Sequence, residues 1–336
     1  MTAPVIFRRT AGLLPAGIFT LALLLGSGCR PPPEEDVLLR YRYRPGETLV
    51  YRVSLRGEGE VLMTMSVEGE EREEEDRIPL PVSLEGDYLM ELKVEEVSPE
   101  GRAQLSLSYR EFNLSSVSRI RDREIVTSLT DRGLTITEDD RLISEIGRDD
   151  DGYPLRGVVG EEFRLRVDDR GTVLEARVPP APERIFPSLQ FDAFLERMQP
   201  EFPREPVPAG ASWSRTVEVP VSGLGRQWDR GERWEVRLES TFRGFDDRRR
   251  ETALIDFSGS YRQETPELPE GSGLRSSSHH LTGTFQFDVP GGRVISSSST
   301  LRQNLELRAA FDQVLRGRSL DIRVEDKVEV SVRLEE

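Results

Sequence analysis

The stretch Leu49-Val-Tyr-Arg-Val-Ser-Leu55 sets apolar side chains, Leu49, Tyr51, Val53 and Leu55, at every second position. Successive side chains of a β-strand point to opposite faces, so this spacing predicts a strand with one apolar and one wetted face. The same alternation runs outward in both directions. Val37, Leu39, Tyr41 and Tyr43 stand opposite Arg40, Arg42 and Arg44, and Pro45-Gly46-Glu47 turns the chain between the two runs. Val61, Met63, Met65 and Val67 carry the pattern on to the acidic run Glu68–Arg77, which reads as a solvated loop.

Beyond that loop, Tyr88, Met90, Leu92 and Val94 lead through Ser98-Pro-Glu-Gly101 to Ala103, Leu105, Leu107 and Tyr109, a hairpin signature. Asp168-Asp-Arg-Gly171 turns a second hairpin. Trp234–Tyr261 and Leu281–Val294 supply two more, separated by a polar Pro/Gly/Ser loop expected over residues 263–280. The last run is the longest: Leu320, Ile322, Val324, Val328, Val330, Val332 and Leu334, broken only by Asp326. One segment has helical spacing. Phe191, Phe194, Leu195 and Met198 fall at i, i+3, i+4 and i+7, with Ser188 as N-cap and Pro200 and Pro203 beyond.

The two halves also echo each other. A Pro/Gly turn before an aromatic strand, a long hairpin and a Gly-bounded hairpin recur in the same order. The expected fold is therefore mainly β: two similar antiparallel β-rich lobes, of sandwich or half-barrel type, with one connecting amphipathic helix. The lobes span 37–182 and 206–336, with the helical connector over 183–205.

Composition narrows the function. The formal charge of −15 disfavours nucleic acid and anionic headgroups as partners. Cys29 is the only cysteine, so no disulfide staples the domain, and a hydrophobic core has to hold it. No catalytic constellation stands out, and no cofactor or metal is implied. His279 and His280 are adjacent, so on a strand they point to opposite faces; their expected setting is an exposed loop-to-strand boundary. Arg148-Asp-Asp-Asp-Gly-Tyr153 lacks the alternate acidic positions of a calcium loop and reads as an acidic turn. Gly-x-Ser-x-Gly and phosphate-cradling loops do not occur. The many carboxylates could in principle supply a glycosidase pair, but their number singles out none.

The N-terminus decides location. Arg8 and Arg9 precede the apolar run Ala11–Leu25, and Gly26-Ser-Gly28 precedes Cys29. This stretch resembles a bacterial lipobox, from which it departs in that Leu25 stands one residue early. The resemblance implies a lipoprotein signal peptide over 1–28, an acylated Cys29, and a Pro-rich spacer over 29–36. Two alternatives are an uncleaved membrane helix, short for the purpose and interrupted by Pro15, and an ordinary signal peptide. The layout as a whole is similar to bacterial lipoproteins with duplicated, mostly β extracytoplasmic regions. Arg30 after the cysteine favours outer-membrane sorting.

The implied protein is a non-catalytic, lipid-anchored envelope protein. It is joined to the membrane through lipid on Cys29 and presents a β surface to an envelope protein or polymer. The alternative is a carrier of a hydrophobic ligand. Whether Leu105, Leu107, Phe285 and Phe287 line a void or fill a core separates the two.

Overall fold

In a computed structural model, the described residues are 36–67, 77–120, 122–177, 199–220, 233–264, 273–310 and 318–335. They hold fourteen strands: β1 (Thr48–Val67), β2 (Arg77–Val97), β3 (Ala103–Ile120), β4 (Arg123–Thr130), β5 (Gly133–Glu138), β6 (Arg141–Gly147), β7 (Phe163–Val167), β8 (Val173–Arg177), β9 (Ser212–Pro220), β10 (Arg233–Phe245), β11 (Thr252–Glu264), β12 (Gly273–Asp288), β13 (Arg293–Ala310) and β14 (Arg318–Leu334). The period-two reading of the sequence thus holds along most of the chain.

All fourteen belong to one antiparallel sheet, ordered β6-β5-β4-β3-β2-β1-β14-β13-β12-β11-β10-β9, with β7 pairing β3 and β8 pairing β7. Each strand makes its extensive contacts with its sheet neighbours, and among the described residues no second sheet is stacked on the first. This corrects the sandwich expectation. The first and last long strands pair with each other over Tyr51–Val67 and Arg318–Leu334. That closure joins the two halves of the chain edge to edge, so Val37–Glu336 is one folded unit. Local alternation cannot distinguish strands that pair from strands that stack, because both bury one face.

The described residues contain no helix, so the fold is all-β and the single-helix part of the expectation does not stand. The stripe that suggested it, Ser188–Met198, lies outside the described residues, as do Glu68–Asp76 and the N-terminal run with Cys29. The loop expected over 263–280 is also corrected. β11 continues to Glu264 and β12 begins at Gly273, so the serines and both histidines are paired within the sheet.

The apolar side chains collect into two cores. One joins β1, β2, β3 and β7 to the turn segment around Tyr153–Val159, with Tyr88, Tyr109, Phe112 and Phe163 at its centre. The other gathers Leu39 and Tyr41 from before β1 with Phe202, Phe242, Ile255, Phe285 and Phe287. In it Phe202 meets Phe287 edge-on at 4.6 Å, and Phe257 stacks on Phe285 at 4.5 Å. Leu39 and Tyr41 therefore pack with the later half of the chain, although the sequence places them at the start of the first lobe.

The turns follow their residue chemistry. Asp168 Oδ1 accepts from the Arg170 and Thr172 amides at 3.0 and 2.8 Å, closing the β7–β8 hairpin. Gly171 completes that turn at φ 89°, and a Cβ there would stand 2.5 Å from the Tyr41 ring. Both facts require glycine at this position.

Candidate functional site

Both cores lie at one end of the long strands. The same alternation continues past them, from Gly57 to Met63 of β1 and across its neighbours. Val61 faces Leu80 of β2 and Val324 of β14, and Met63 faces Ile78 and Ile322. Leu305 of β13 stands beside Val324, and Leu301 beside Val328. Val61, Met63, Leu80, Val82, Leu301, Leu305, Ile322 and Val324 are half-buried and stand outside both cores. Four strands of about 4.8 Å spacing make this face about 14 Å wide. Gly57 to Met63 and their partners make it about 20 Å long.

A polar row crosses the face. Gly59 of β1 pairs with Asp326 of β14, Asp326 with Gln303 of β13, Gln303 with His279 of β12, and His279 with Tyr261 of β11. An apolar row bounds it on each side, Val61–Val324–Leu305 on one and Val328–Leu301–Leu281 on the other. Asp326 is the one acidic side chain that the register places on this stretch of the face. Its Oδ1 is buried without a hydrogen-bond partner. Burial raises its carboxyl pKa from the ordinary value to about 6. On one side its neighbour has no side chain: a Cβ on Gly59 would lie 2.8 Å from that of Asp326 and 2.7 Å from the Glu325 carbonyl oxygen. The His279 Nε2 and Ser277 Oγ are 2.7 Å apart, and the His279 ring lies 6.3 Å from that of Tyr261.

The histidine pair does split across the sheet: His279 is half-buried on the apolar face and His280 is exposed on the other. The expected loop boundary is replaced by the interior of β12. Arg148–Tyr153 forms a turn, in which Asp150 Oδ2 accepts from the Gly147 amide at 2.7 Å and Asp151 pairs with Arg156. Those contacts account for two of its acids. Asp326 and Gln303 received no role from the sequence. The signal was present in the break that Asp326 makes in the longest apolar run.

Leu105, Leu107 and Phe287 are fully buried and Phe285 is 3% exposed, so all four fill packed cores. Between the two cores, Tyr41, Tyr43, Leu49, Tyr51 and Arg293 line a cavity of about 30 Å³. That is room for one or two waters and far too little for an acyl chain. Desolvation holds the Tyr41 and Tyr43 phenols well above their ordinary range, so they stay neutral. A hydrophobic ligand therefore has no interior chamber among these residues.

The opposite face of the sheet is polar. A groove of about 720 Å³ crosses β3, β2, β1, β14 and β13. Ser54, Arg56, Glu85, Asp87, Glu329 and Ser331 are among its lining residues.

No family model matches the chain, and no curated protein does. Among solved structures it is similar to lipovitellin, solved in a study of its lipid–protein interactions. That match has 13% identity and a TM-score of 0.42, over 88% of this chain and 26% of that one. The chain therefore spans about a quarter of lipovitellin's length. It also matches the outer membrane protein OprG of Pseudomonas aeruginosa, with 7% identity and a TM-score of 0.18, over 87% of this chain and 96% of that one. Both scores lie below the level at which two chains share a fold.

Proposed function

We propose that this is a non-catalytic, lipid-anchored envelope protein that binds a hydrophobic ligand on the distal apolar face of its sheet. The observation that carries the reading is the half-buried stretch of β1, β2, β13 and β14. It keeps the apolar alternation for another 20 Å or so beyond the cores, with no second sheet stacked on it among the described residues. A sheet face of this kind gains about 25 cal/mol for each Å² of apolar surface removed from water. An acyl chain laid along the strands supplies that cover. In this reading Cys29 carries the anchoring lipid and Arg30 directs the protein to the outer membrane. The domain then works at the surface that stores its ligand.

Extraction of the purified chain with organic solvent, followed by mass spectrometry, tests the reading. Lipid is expected at near-stoichiometric amounts in the wild type. Val324→Lys, which puts a charge in the middle of the face, is expected to lower it at least fivefold. Lipid-free wild-type protein that also fails to take up an added apolar fluorophore overturns the proposal. Palmitate labelling tests the anchor separately: label should appear on the wild type and vanish in Cys29→Ala.

A second reading rests on the polar groove. Its hydroxyls and carboxylates suit a hydroxyl-rich envelope polymer or a basic protein segment, the partner classes that the sequence suggests. Ser54→Trp, which fills the groove from β1, is expected to abolish binding to isolated envelope polymer and leave lipid content unchanged.

A further inference from the structure

Asp326 is costly where it stands. A carboxylate among aliphatic side chains destabilises the fold unless something pairs with it. The residues beside it in the sheet supply no charge. Gly59 has no side chain, Gln303 is neutral, Val324 and Val328 flank it along β14, and Val82 lies beyond Gly59. The nearest basic group on the same face is His279, two strands away or roughly 10 Å. The buried Oδ1 makes no hydrogen bond. Lys327 and Arg323, close in sequence, point to the opposite face by the alternation of β14, where Lys327 pairs with Glu329 and Arg323 with Glu325.

The surroundings match what an amphiphile's head would need. Gly59 puts no side chain beside the carboxylate, and β1 and β14 approach so closely there that a Cβ on Gly59 would stand 2.8 Å from that of Asp326. Gln303 offers an amide, and the Ser277–His279 pair offers further polar atoms along the row. Apolar side chains continue on both sides of the row, so an alkyl chain leading away from the carboxylate meets Val61, Val324 and Leu305, or Val328 and Leu301. The charge balance of the protein, −15, favours a cationic over an anionic head.

We propose that Asp326, unpaired between two apolar rows, is the headgroup site of the apolar face, and that the ligand is an amine-bearing, single- or double-chain amphiphile whose ammonium pairs with this carboxylate. The inference rests on the proposed function and names its ligand class. The low dielectric of the face strengthens an ion pair there relative to water, so one carboxylate suffices for discrimination. The raised carboxyl pKa is what an acid with no internal counter-ion should show, and it leaves the group mostly ionised at pH 7.4.

The test uses the full chain and three probes with the same alkyl chain, hexadecylamine, hexadecanol and hexadecanoate, below their aggregation concentrations at pH 7.4. Wild-type protein is expected to bind hexadecylamine at least tenfold more tightly than hexadecanoate. Asp326→Leu is expected to bring the two within twofold and leave hexadecanol binding unchanged. Asp326→Asn, which keeps the side-chain shape, should lose the amine preference in the same way, so a loss through misfolding is distinguished from loss of the charge. If all three bind and the wild type shows no amine preference, or keeps it in both variants, the headgroup site is wrong and the apolar face survives. Failure of all three to bind overturns both the face and the site.

Discussion

The two ends of the same long strands make an instructive pair. At one end β1 presents Leu49, Tyr51, Val53 and Leu55 to a packed core, with aromatic rings and the Tyr153–Val159 segment against it. At the other end it presents Gly57, Gly59, Val61 and Met63, and those side chains stand outside both cores. The alternation is the same, and the chain does not change direction between them. What differs is the company. Aromatic side chains and turn segments converge on the first region, whereas the second has two glycines on β1, aliphatic residues and a polar row that includes one acid. A strand pattern therefore specifies that a face is apolar, not what lies on it.

Substitutions can break this contrast. The largest effect is expected at the aromatic end: Phe287→Ala should cost about 3–5 kcal/mol in chemical denaturation, because the residue is fully buried against Phe202 and Tyr41. A loss under about 1 kcal/mol would show that this core is loosely packed and the contrast false. Gly283→Ala comes next, at about 1–3 kcal/mol. The new Cβ would stand 2.3 Å from the Phe257 ring and 2.5 Å from the Ser298 carbonyl oxygen, so the ring or the strand has to move. At the distal end Val324→Ala should cost only about 1 kcal/mol or less, since the side chain is half-buried. Equal costs for Phe287→Ala and Val324→Ala, per atom removed, would erase the distinction between the regions.

Asp326 sharpens the comparison with an effect of opposite sign. In ligand-free protein Asp326→Asn should raise stability by about 1–2 kcal/mol at pH 7.4, because an unpaired carboxylate leaves the apolar face. The pH dependence follows from the direction of its shift. The folded-state pKa, about 6, lies above the unfolded value near 3.8, so the folded chain holds the proton more tightly. The wild type loses stability from this group as pH rises from about 4 to about 6, and the lead of Asp326→Asn grows over that window. Of the groups on the same face, His279 of β12 and Tyr261 of β11 can also titrate, whereas Gly59 and Gln303 beside the acid cannot. Melting temperatures of the two proteins between pH 4 and 8 check this; a constant difference would place Asp326 in water. The smallest effect belongs to the tip of the β3–β4 hairpin. Arg119→Ala removes a pair with Glu124 that is largely exposed, and about 0.5 kcal/mol or less is expected.

Much of the architecture was legible in the residues, and for a definite reason. The Tyr88–Tyr109 hairpin, its Ser98–Gly101 turn and the Asp168–Gly171 turn are local features, set by alternation and by which residues tolerate each backbone angle. The serine-rich stretch was not legible, because serines and adjacent histidines carry no strand signal of their own; their place in β12 comes from β11 and β13 on either side. Asp326 was visible as a break in an apolar run. Its neighbours Gly59, Gln303 and His279 come from three other strands, up to 267 residues away in the chain.

By itself, then, the sequence determined an acidic chain with one cysteine and strands along most of its length, each with an apolar face. These are properties of short segments, decided by side-chain period and turn chemistry. Only the tertiary structure decided that the strands of both halves form one sheet rather than two stacked ones, through the pairing of β1 with β14. It also decided which length of the apolar face meets a core, and that an unpaired carboxylate lies in the remainder. Register between distant strands is a property of the whole chain, since shifting it by one residue would turn every side chain of a strand to the other face.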